Sequence, residues 1–72
     1  MASELMRVPG GGAVLKKWMA DNGVTVKRLS KMTGLSERTI TGLRSGRTVG
    51  NFATWRIICR RTGLDIAQIA GL

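Results

Sequence analysis

The sequence predicts an all-α domain built from five short helices. Apolar residues recur at spacings of three, four and seven, residues that can cap helices precede most of these stripes, and no segment alternates with period two. With 72 residues, the chain has the length of one domain. A domain this small buries only about 60% of the surface that its unfolded chain exposes, so close helix packing or a partner subunit must support it.

The first predicted helix covers about residues 13–22 and follows an N-terminal arm over residues 1–12. The arm has little periodicity and contains a proline and three consecutive glycines, which is typical of a mobile segment. The helix has a single apolar stripe, formed by Leu15, Trp18 and Met19. The folded domain is therefore expected to extend from residue 13 to residue 72.

The second and third helices are predicted at about residues 25–33 and 36–45, with a tight turn between them. Thr25 and Ser36 are suitable caps for their first turns, and Gly34 can take the positive φ that a helix end often requires. The apolar positions of this helical pair are Leu29, Met32, Leu35, Ile40 and Leu43. Two short helices joined in this way form a compact unit with one buried side.

Two further helices are predicted at about residues 51–62 and 65–70. Asn51 and Asp65 can cap them, and Gly63 can end the first of them. The expected buried residues of this pair are Phe52, Trp55, Ile58, Cys59, Ile66 and Ile69. Because the aromatic residues lie on core faces, a stacking platform for RNA or single-stranded DNA is disfavoured.

The positive charge is concentrated in the middle of the chain. Twelve Lys and Arg against four Asp and Glu give a net charge of +8. Between Lys27 and Arg61 there are nine cations and one acid, Glu37, whereas the remaining residues are balanced. Charge clustered in this way is typical of a domain that binds a polyanion. A solvated surface that keeps the protein soluble is the alternative interpretation.

Several function classes conflict with the residue types present. The chain has no His, and its four carboxylates are scattered along the sequence, which disfavours an enzyme. Cys59 is the single cysteine, so we expect no disulfide, no metal centre and no cofactor. No apolar run approaches the roughly 18 residues that span a bilayer, and the N-terminus lacks the pattern of a signal peptide. A cytoplasmic protein without a small-molecule ligand is the expectation.

The helical pair resembles the helix-turn-helix of Cro- and phage-repressor-type regulators, the XRE-like or lambda-repressor-like family. The residues that carry this resemblance are Leu29-Ser30, Gly34-Leu35-Ser36, Ile40, Leu43 and Gly46, followed by Gly63-Leu64 at the end of the fourth helix. The resemblance covers about residues 13–70. It implies a compact five-helix domain that usually acts as a homodimer on a short operator in double-stranded DNA.

The helix that starts at Ser36 is then expected to read bases in the major groove. The candidate base-reading residues are Ser36, Glu37, Arg38 and Thr41. Arg38 can donate two parallel hydrogen bonds to guanine, Glu37 can accept one from cytosine, and Thr41 offers a hydroxyl and a methyl group. Glu37 has an alternative role, since an acid in the first turn stabilises a helix dipole. The candidate phosphate contacts are Thr25, Lys27, Arg28, Arg44, Arg47, Thr48 and Asn51.

Three positions differ from the pattern of the family that the chain resembles. Val26 stands where a Gln commonly touches a phosphate and braces a base-reading side chain, and Ser30 stands where a small Ala is usual. Gly42 stands where a base-reading side chain is often found, and it costs about 1 kcal/mol of helix propensity relative to Ala. Either the helix approaches the groove more closely at Gly42 or it reads fewer bases there.

Two binding functions are consistent with the sequence. The first is a sequence-specific transcriptional regulator of Cro or repressor type, of prokaryotic, phage or plasmid origin. The alternative is a protein-interaction module of the same fold, such as an antitoxin or an anti-regulator, whose basic face meets an acidic partner. For a homodimer, the fifth helix with Ile66, Ile69 and Leu72 is a candidate surface, although these residues suit the core equally well.

Overall fold

Five helices make up the computed structural model of the chain, which describes residues 11–70. Their bounds are Gly11–Asn22 for α1, Val26–Thr33 for α2, Glu37–Ser45 for α3, Phe52–Thr62 for α4 and Ile66–Ala70 for α5. The prediction of an all-α, five-helix domain is therefore confirmed. None of the helices between residues 11 and 70 has the length and apolar character of a membrane span.

Side-chain caps begin four of the helices, and for the last of them Asp65 Oδ1 accepts the Ala67 N–H at 2.9 Å at the start of α5. The side-chain oxygens of Thr25, Ser36 and Asn51 accept hydrogen bonds from the backbone N–H three residues further on, at 3.1, 3.1 and 2.9 Å. Because these cap residues have extended backbone, each helix begins one residue after the predicted boundary. Gly34 and Gly63 end α2 and α4 with φ of 78° and 81°, in the left-handed region that glycine takes without strain.

The first helix begins two residues earlier than the sequence predicted. Gly11 and Gly12 belong to the first turn of α1 and are buried, so they are not part of a mobile arm. A Cβ at Gly11 would meet the side chains of Ile69 and Trp55 at 2.7 to 2.9 Å, and one at Gly12 would meet the Leu43 carbonyl oxygen. The two glycines allow this close packing, which apolar periodicity does not reveal. Residues 1–10 of the predicted arm lie outside the described residues.

One hydrophobic core holds the helices together. Every helix contributes to its buried residues, which are Leu15, Met19, Leu29, Ile40, Leu43, Trp55, Ile58, Cys59 and Ile69. α1 packs against α3 and α5, α2 packs against α3 and α4, and α4 packs against α5. The other apolar residues that we expected inside are half-buried against this core: Trp18, Met32, Leu35, Phe52 and Ile66. The two helices of the predicted recognition unit thus share their core with the rest of the domain.

The fifth helix contributes to the core with both of its isoleucines. Ile69 is buried and Ile66 is half-buried against the core, while Leu72 lies outside the described residues. The described residues of α5 therefore favour a role in the core over a role as a dimer surface. Cys59 is buried in the same core, and burial, together with the negative charge of Asp65, raises the pKa of its thiol. The thiol is a small neutral core group at neutral pH.

Leu43→Asp is expected to unfold the domain. Leu43 is 1% exposed, and a carboxylate there would be buried without a partner, at a cost of about 3–5 kcal/mol. Thermal melts followed by circular dichroism would measure this loss. Thr41→Asp, on the exposed side of the same helix, is the matched control and is expected to keep a cooperative transition. A native melting curve for Leu43→Asp would show that the helix faces are assigned wrongly.

Candidate nucleic-acid interface

Hydroxyl groups, as well as glycine, hold the turn between α2 and α3. Gly34 donates its N–H to the Ser30 carbonyl oxygen at 2.9 Å. The Thr33 hydroxyl donates to the Leu29 carbonyl oxygen at 2.8 Å and accepts the Leu35 N–H at 3.2 Å. These bonds give partners to backbone groups around a helix end, where the regular helix pattern stops. The turn therefore has one defined geometry.

Ser30 adds a further hydrogen bond across this turn. Its hydroxyl donates to the Leu35 carbonyl oxygen at 2.5 Å. The sequence indicated only that a small residue is suitable here, whereas the structure shows that the side chain joins α2 to the segment leading into α3. Because Ser30 is half-buried, water competes less for this bond than it would on an open surface.

The same turn chemistry occurs again between α4 and α5. The Thr62 hydroxyl donates to the Ile58 carbonyl oxygen at 2.8 Å and accepts the Leu64 N–H at 3.3 Å. Both turns contain the three-residue sequence Thr-Gly-Leu, at 33–35 and 62–64. The same three residues also occur at 41–43, inside α3, so the tripeptide alone does not predict a turn. What the two turns share is the pair of hydrogen bonds that the threonine hydroxyl makes with the backbone on either side of the glycine.

α3 divides its residues between the core and the surface. Ile40 and Leu43 are buried, whereas Glu37, Arg38 and Thr41 are exposed. Positions 38 and 41 are three residues apart, so they are neighbours on the helix surface. Three of the four candidate base-reading residues therefore lie on the outer side of this helix.

Ser36, the fourth candidate, caps α3. It is exposed, but its hydroxyl oxygen accepts the Thr39 N–H at 3.1 Å and lies 2.8 Å from the Thr39 hydroxyl. A hydroxyl engaged in this way is less available to a base edge. Among the four candidates, the exposed side chains that do not cap the helix are therefore Glu37, Arg38 and Thr41.

The start of α3 carries one acid and one cation side by side. Glu37 lies in the first turn, where its negative charge is favourable to the helix dipole. Within residues 11–70, neither Glu37 nor Arg38 takes part in an ion pair. Both charged groups are thus accessible to a partner, and the helix-dipole role of Glu37 is compatible with a second role at a base.

Gly42 does not lie on the exposed face of α3. It is buried, and a Cβ there would meet the Thr48 hydroxyl oxygen at 2.5 Å and Thr48 Cβ at 3.1 Å. Of our two expectations for Gly42, this burial disfavours a closer approach to the groove at that position, whereas a base left unread stays a prediction. Positions 41 and 42 are adjacent in sequence, but the loop after α3 covers position 42 and leaves Thr41 exposed.

The candidate phosphate-contacting residues lie at helix ends and in the loop after α3. Four of them are exposed at the start of α2 or in this loop: Lys27, Arg28, Arg47 and Thr48. Arg44 and Asn51 are half-buried, and Thr25 is exposed. Thr25 and Asn51 use their side-chain oxygens to cap α2 and α4. The first turns of these helices also offer backbone N–H groups, which bind phosphate well.

Val26 belongs to the core edge rather than to the charged surface. It is half-buried and packs against the core cluster. Val26 therefore has no polar group for the phosphate contact expected of a Gln at this position, and Lys27 and Arg28 carry the positive charge of the first turn of α2. These two side chains differ from Gln in that they attract phosphate mainly through charge.

Comparison with known families gives a match over most of the chain. The family model described as the Cro/C1-type HTH DNA-binding domain matches residues 14–72. This range contains every candidate base-reading and phosphate-contacting residue. The comparisons with curated proteins and with solved structures gave no significant match.

Thr33→Val is expected to destabilise the domain by about 1 kcal/mol, because it removes two hydrogen bonds from the turn while preserving the side-chain shape. Urea titration would measure this as a lower midpoint with an unchanged slope. Thr62→Val should have a similar effect, since it removes the equivalent bonds. Thr41→Val makes the same chemical change on the exposed side of α3 and should leave the midpoint unchanged. Equal midpoints for Thr33→Val and the wild type would contradict the role of the hydroxyl.

Proposed function

We propose that the chain, which belongs to the Cro/C1-type helix-turn-helix DNA-binding domain family, is a sequence-specific regulator of transcription. It reads the major groove of double-stranded DNA with α3. The proposal rests on the two sides of α3. Ile40 and Leu43 are buried and anchor the helix in the core, whereas Glu37, Arg38 and Thr41 are exposed. A helix anchored in this way presents a constant set of side chains to a groove wide enough to admit it.

Arg38 is the principal base-reading residue of the proposed complex. Its guanidinium can donate in parallel to O6 and N7 of guanine, a pairing that contributes about 1–3 kcal/mol of discrimination. Glu37 can accept a hydrogen bond from N4 of cytosine, and its charge repels bases that present acceptors instead. Thr41, one turn further along, can donate its hydroxyl to a base or place its methyl group against that of thymine.

Cations around α3 supply most of the affinity in this proposal. Lys27 and Arg28 approach one stretch of the DNA backbone from the start of α2, while Arg44 and Arg47 approach another from the end of α3 and the loop. Each cation that neutralises a phosphate releases condensed counterions, so affinity falls as salt concentration rises. Hydrogen bonds from Thr25, Thr48, Asn51 and the adjacent backbone N–H groups then fix the orientation of the domain.

The proposed regulator works as a homodimer on its operator. Two copies related by a two-fold axis would place their recognition helices in successive major grooves, about 34–36 Å apart. Repression then follows from occlusion, because a bound dimer covers sequence that the transcription machinery needs. This mode requires no cofactor or small-molecule ligand, and it operates where the DNA is, in the cytoplasm.

Selection of bound sequences from a random pool of DNA duplexes tests the proposal directly. A regulator of this kind should enrich a palindromic consensus with half-sites about one helical turn apart. Enrichment of a single half-site would support sequence-specific binding and exclude the dimer. Absence of enrichment, together with affinity that does not change with salt, would exclude DNA binding and favour the protein-interaction module.

Arg38→Ala is expected to weaken binding to the preferred duplex by about 1–3 kcal/mol and to relax the preference at one base position. Fluorescence anisotropy titrations against the selected duplex and its single-base variants would measure both effects. Arg61→Ala removes the same side chain from the last turn of α4, outside the proposed site, and is expected to leave the base preference intact. Arg38 has no base-reading role if its removal lowers affinity for every duplex equally.

Arg47→Ala is expected to weaken binding to all duplexes alike and to flatten the slope of log affinity against log salt by about one unit. The reason is that one cation–phosphate contact is lost while every base contact stays. Titrations at four or more salt concentrations, on the selected duplex and on an unrelated one, would give the slopes. A change in base preference with an unchanged slope would place Arg47 at a base instead.

A further inference from the structure

We propose that Gly42 is a positioning residue, which sets the place of the loop at residues 46–50 and thereby of Arg47 and Thr48 relative to α3. The inference rests on the proposed DNA-binding function and adds to it the means by which the phosphate contacts are aligned with the base contacts. Gly42 itself touches no DNA in this proposal. It acts through the loop that packs on it.

The loop folds back over the last turn of α3. The Thr48 N–H donates to the Gly42 carbonyl oxygen at 3.1 Å, and the Ser45 hydroxyl donates to the same oxygen at 3.2 Å. The Arg47 N–H in turn donates to the Ser45 hydroxyl at 3.4 Å. One carbonyl group of α3 therefore organises the backbone that carries both candidate phosphate-contacting residues of the loop.

The absence of a side chain at position 42 makes this arrangement possible. Gly42 lies inside α3 and does not have a positive φ, so its backbone conformation does not require glycine. Glycine costs about 1 kcal/mol relative to Ala at such a position. A Cβ would, however, come within 2.5 Å of the Thr48 hydroxyl oxygen, so the Thr48 side chain must rotate away, and within 3.1 Å of Thr48 Cβ, a contact that rotation does not relieve and that requires the loop to shift. The space for Thr48 is thus the physical reason for the glycine.

A second glycine holds the other end of the loop. A Cβ at Gly50 would lie 2.7 Å from Leu43 Cδ2 and 2.8 Å from Trp55 Nε1, both in buried residues. The loop is therefore packed closely at Thr48 and again at Gly50. A loop ordered before binding loses less conformational entropy when its cations meet phosphate, and it fixes the depth and register at which α3 enters the groove.

A double-mutant cycle between positions 42 and 48 tests the proposal. Gly42→Ala should displace the loop, lower affinity for every duplex about tenfold at ~0.1 M salt and flatten the salt slope by about one unit. Thr48→Ala removes the hydroxyl oxygen and leaves the contact with position 48 Cβ at 3.1 Å, which a small shift relieves. In the Thr48→Ala background, the loss of affinity caused by Gly42→Ala should therefore be at least about fivefold smaller than it is in the wild type. Full additivity of the two substitutions would overturn the proposal.

Thr62→Val is the destabilising control, because it removes two hydrogen bonds from the turn between α4 and α5 and makes no change in α3 or in the loop at residues 46–50. We expect a lower melting temperature, with the wild-type salt slope and base preference retained. If Thr62→Val flattens the salt slope as much as Gly42→Ala does, general destabilisation explains the effect and the positioning role is excluded.

Hydrogen exchange in the free protein separates this inference from the proposed function. Protection of the amide of residue 48 against exchange should fall in Gly42→Ala, because its hydrogen bond to the carbonyl oxygen of residue 42 is lost. The same amide should regain its protection in the double variant. Unchanged protection in a folded Gly42→Ala protein would overturn the positioning role, whatever the DNA results are. If the wild type shows no salt-dependent DNA binding while Thr48 protection changes as expected, the proposed function fails and the loop geometry stands.

Discussion

Burial of Ile40 and Leu43 is the constraint on which the rest of this structure depends. α3 has nine residues, too few for a stable helix in water, so its position and conformation come from packing. Both side chains are at most 1% exposed in a core to which all five helices contribute. Because this face must point inward, the remaining faces are assigned: Glu37, Arg38 and Thr41 are exposed, and position 42 meets the following loop. The proposed recognition surface is a consequence of the core.

Turns stabilised by side chains connect that core to the surface. A domain of 72 residues buries limited apolar area, so hydrogen bonds within its turns must help to offset the conformational entropy that is lost when these turns are ordered. Thr33 and Thr62 bind the backbone on both sides of their turns, and Ser30 joins α2 to the start of α3. These bonds connect the end of one helix to the segment that leads into the next and add to the apolar packing.

The charged side chains lie outside the hydrophobic core. No charged side chain is buried among residues 11–70, so the fold avoids the cost of desolvating ions. The excess of +8 consequently lies at the surface, where mutual repulsion of the cations opposes compaction. A polyanion that binds only the folded domain would remove this repulsion and add its binding free energy to stability. The same charges that weaken the free fold are therefore suited to a nucleic-acid partner.

The sequence by itself determined the five helices, their caps at Thr25, Ser36 and Asn51, and the buried residues at the centre of the core. These features depend on periodicity and on contacts within a few residues, which a local pattern expresses. Only the tertiary structure decided that the Gly11 turn belongs to α1 and packs on Trp55 and Ile69, and that Gly42 faces Thr48. Those outcomes depend on where other segments of the chain pass, because a glycine carries no side chain whose chemistry could indicate its neighbour.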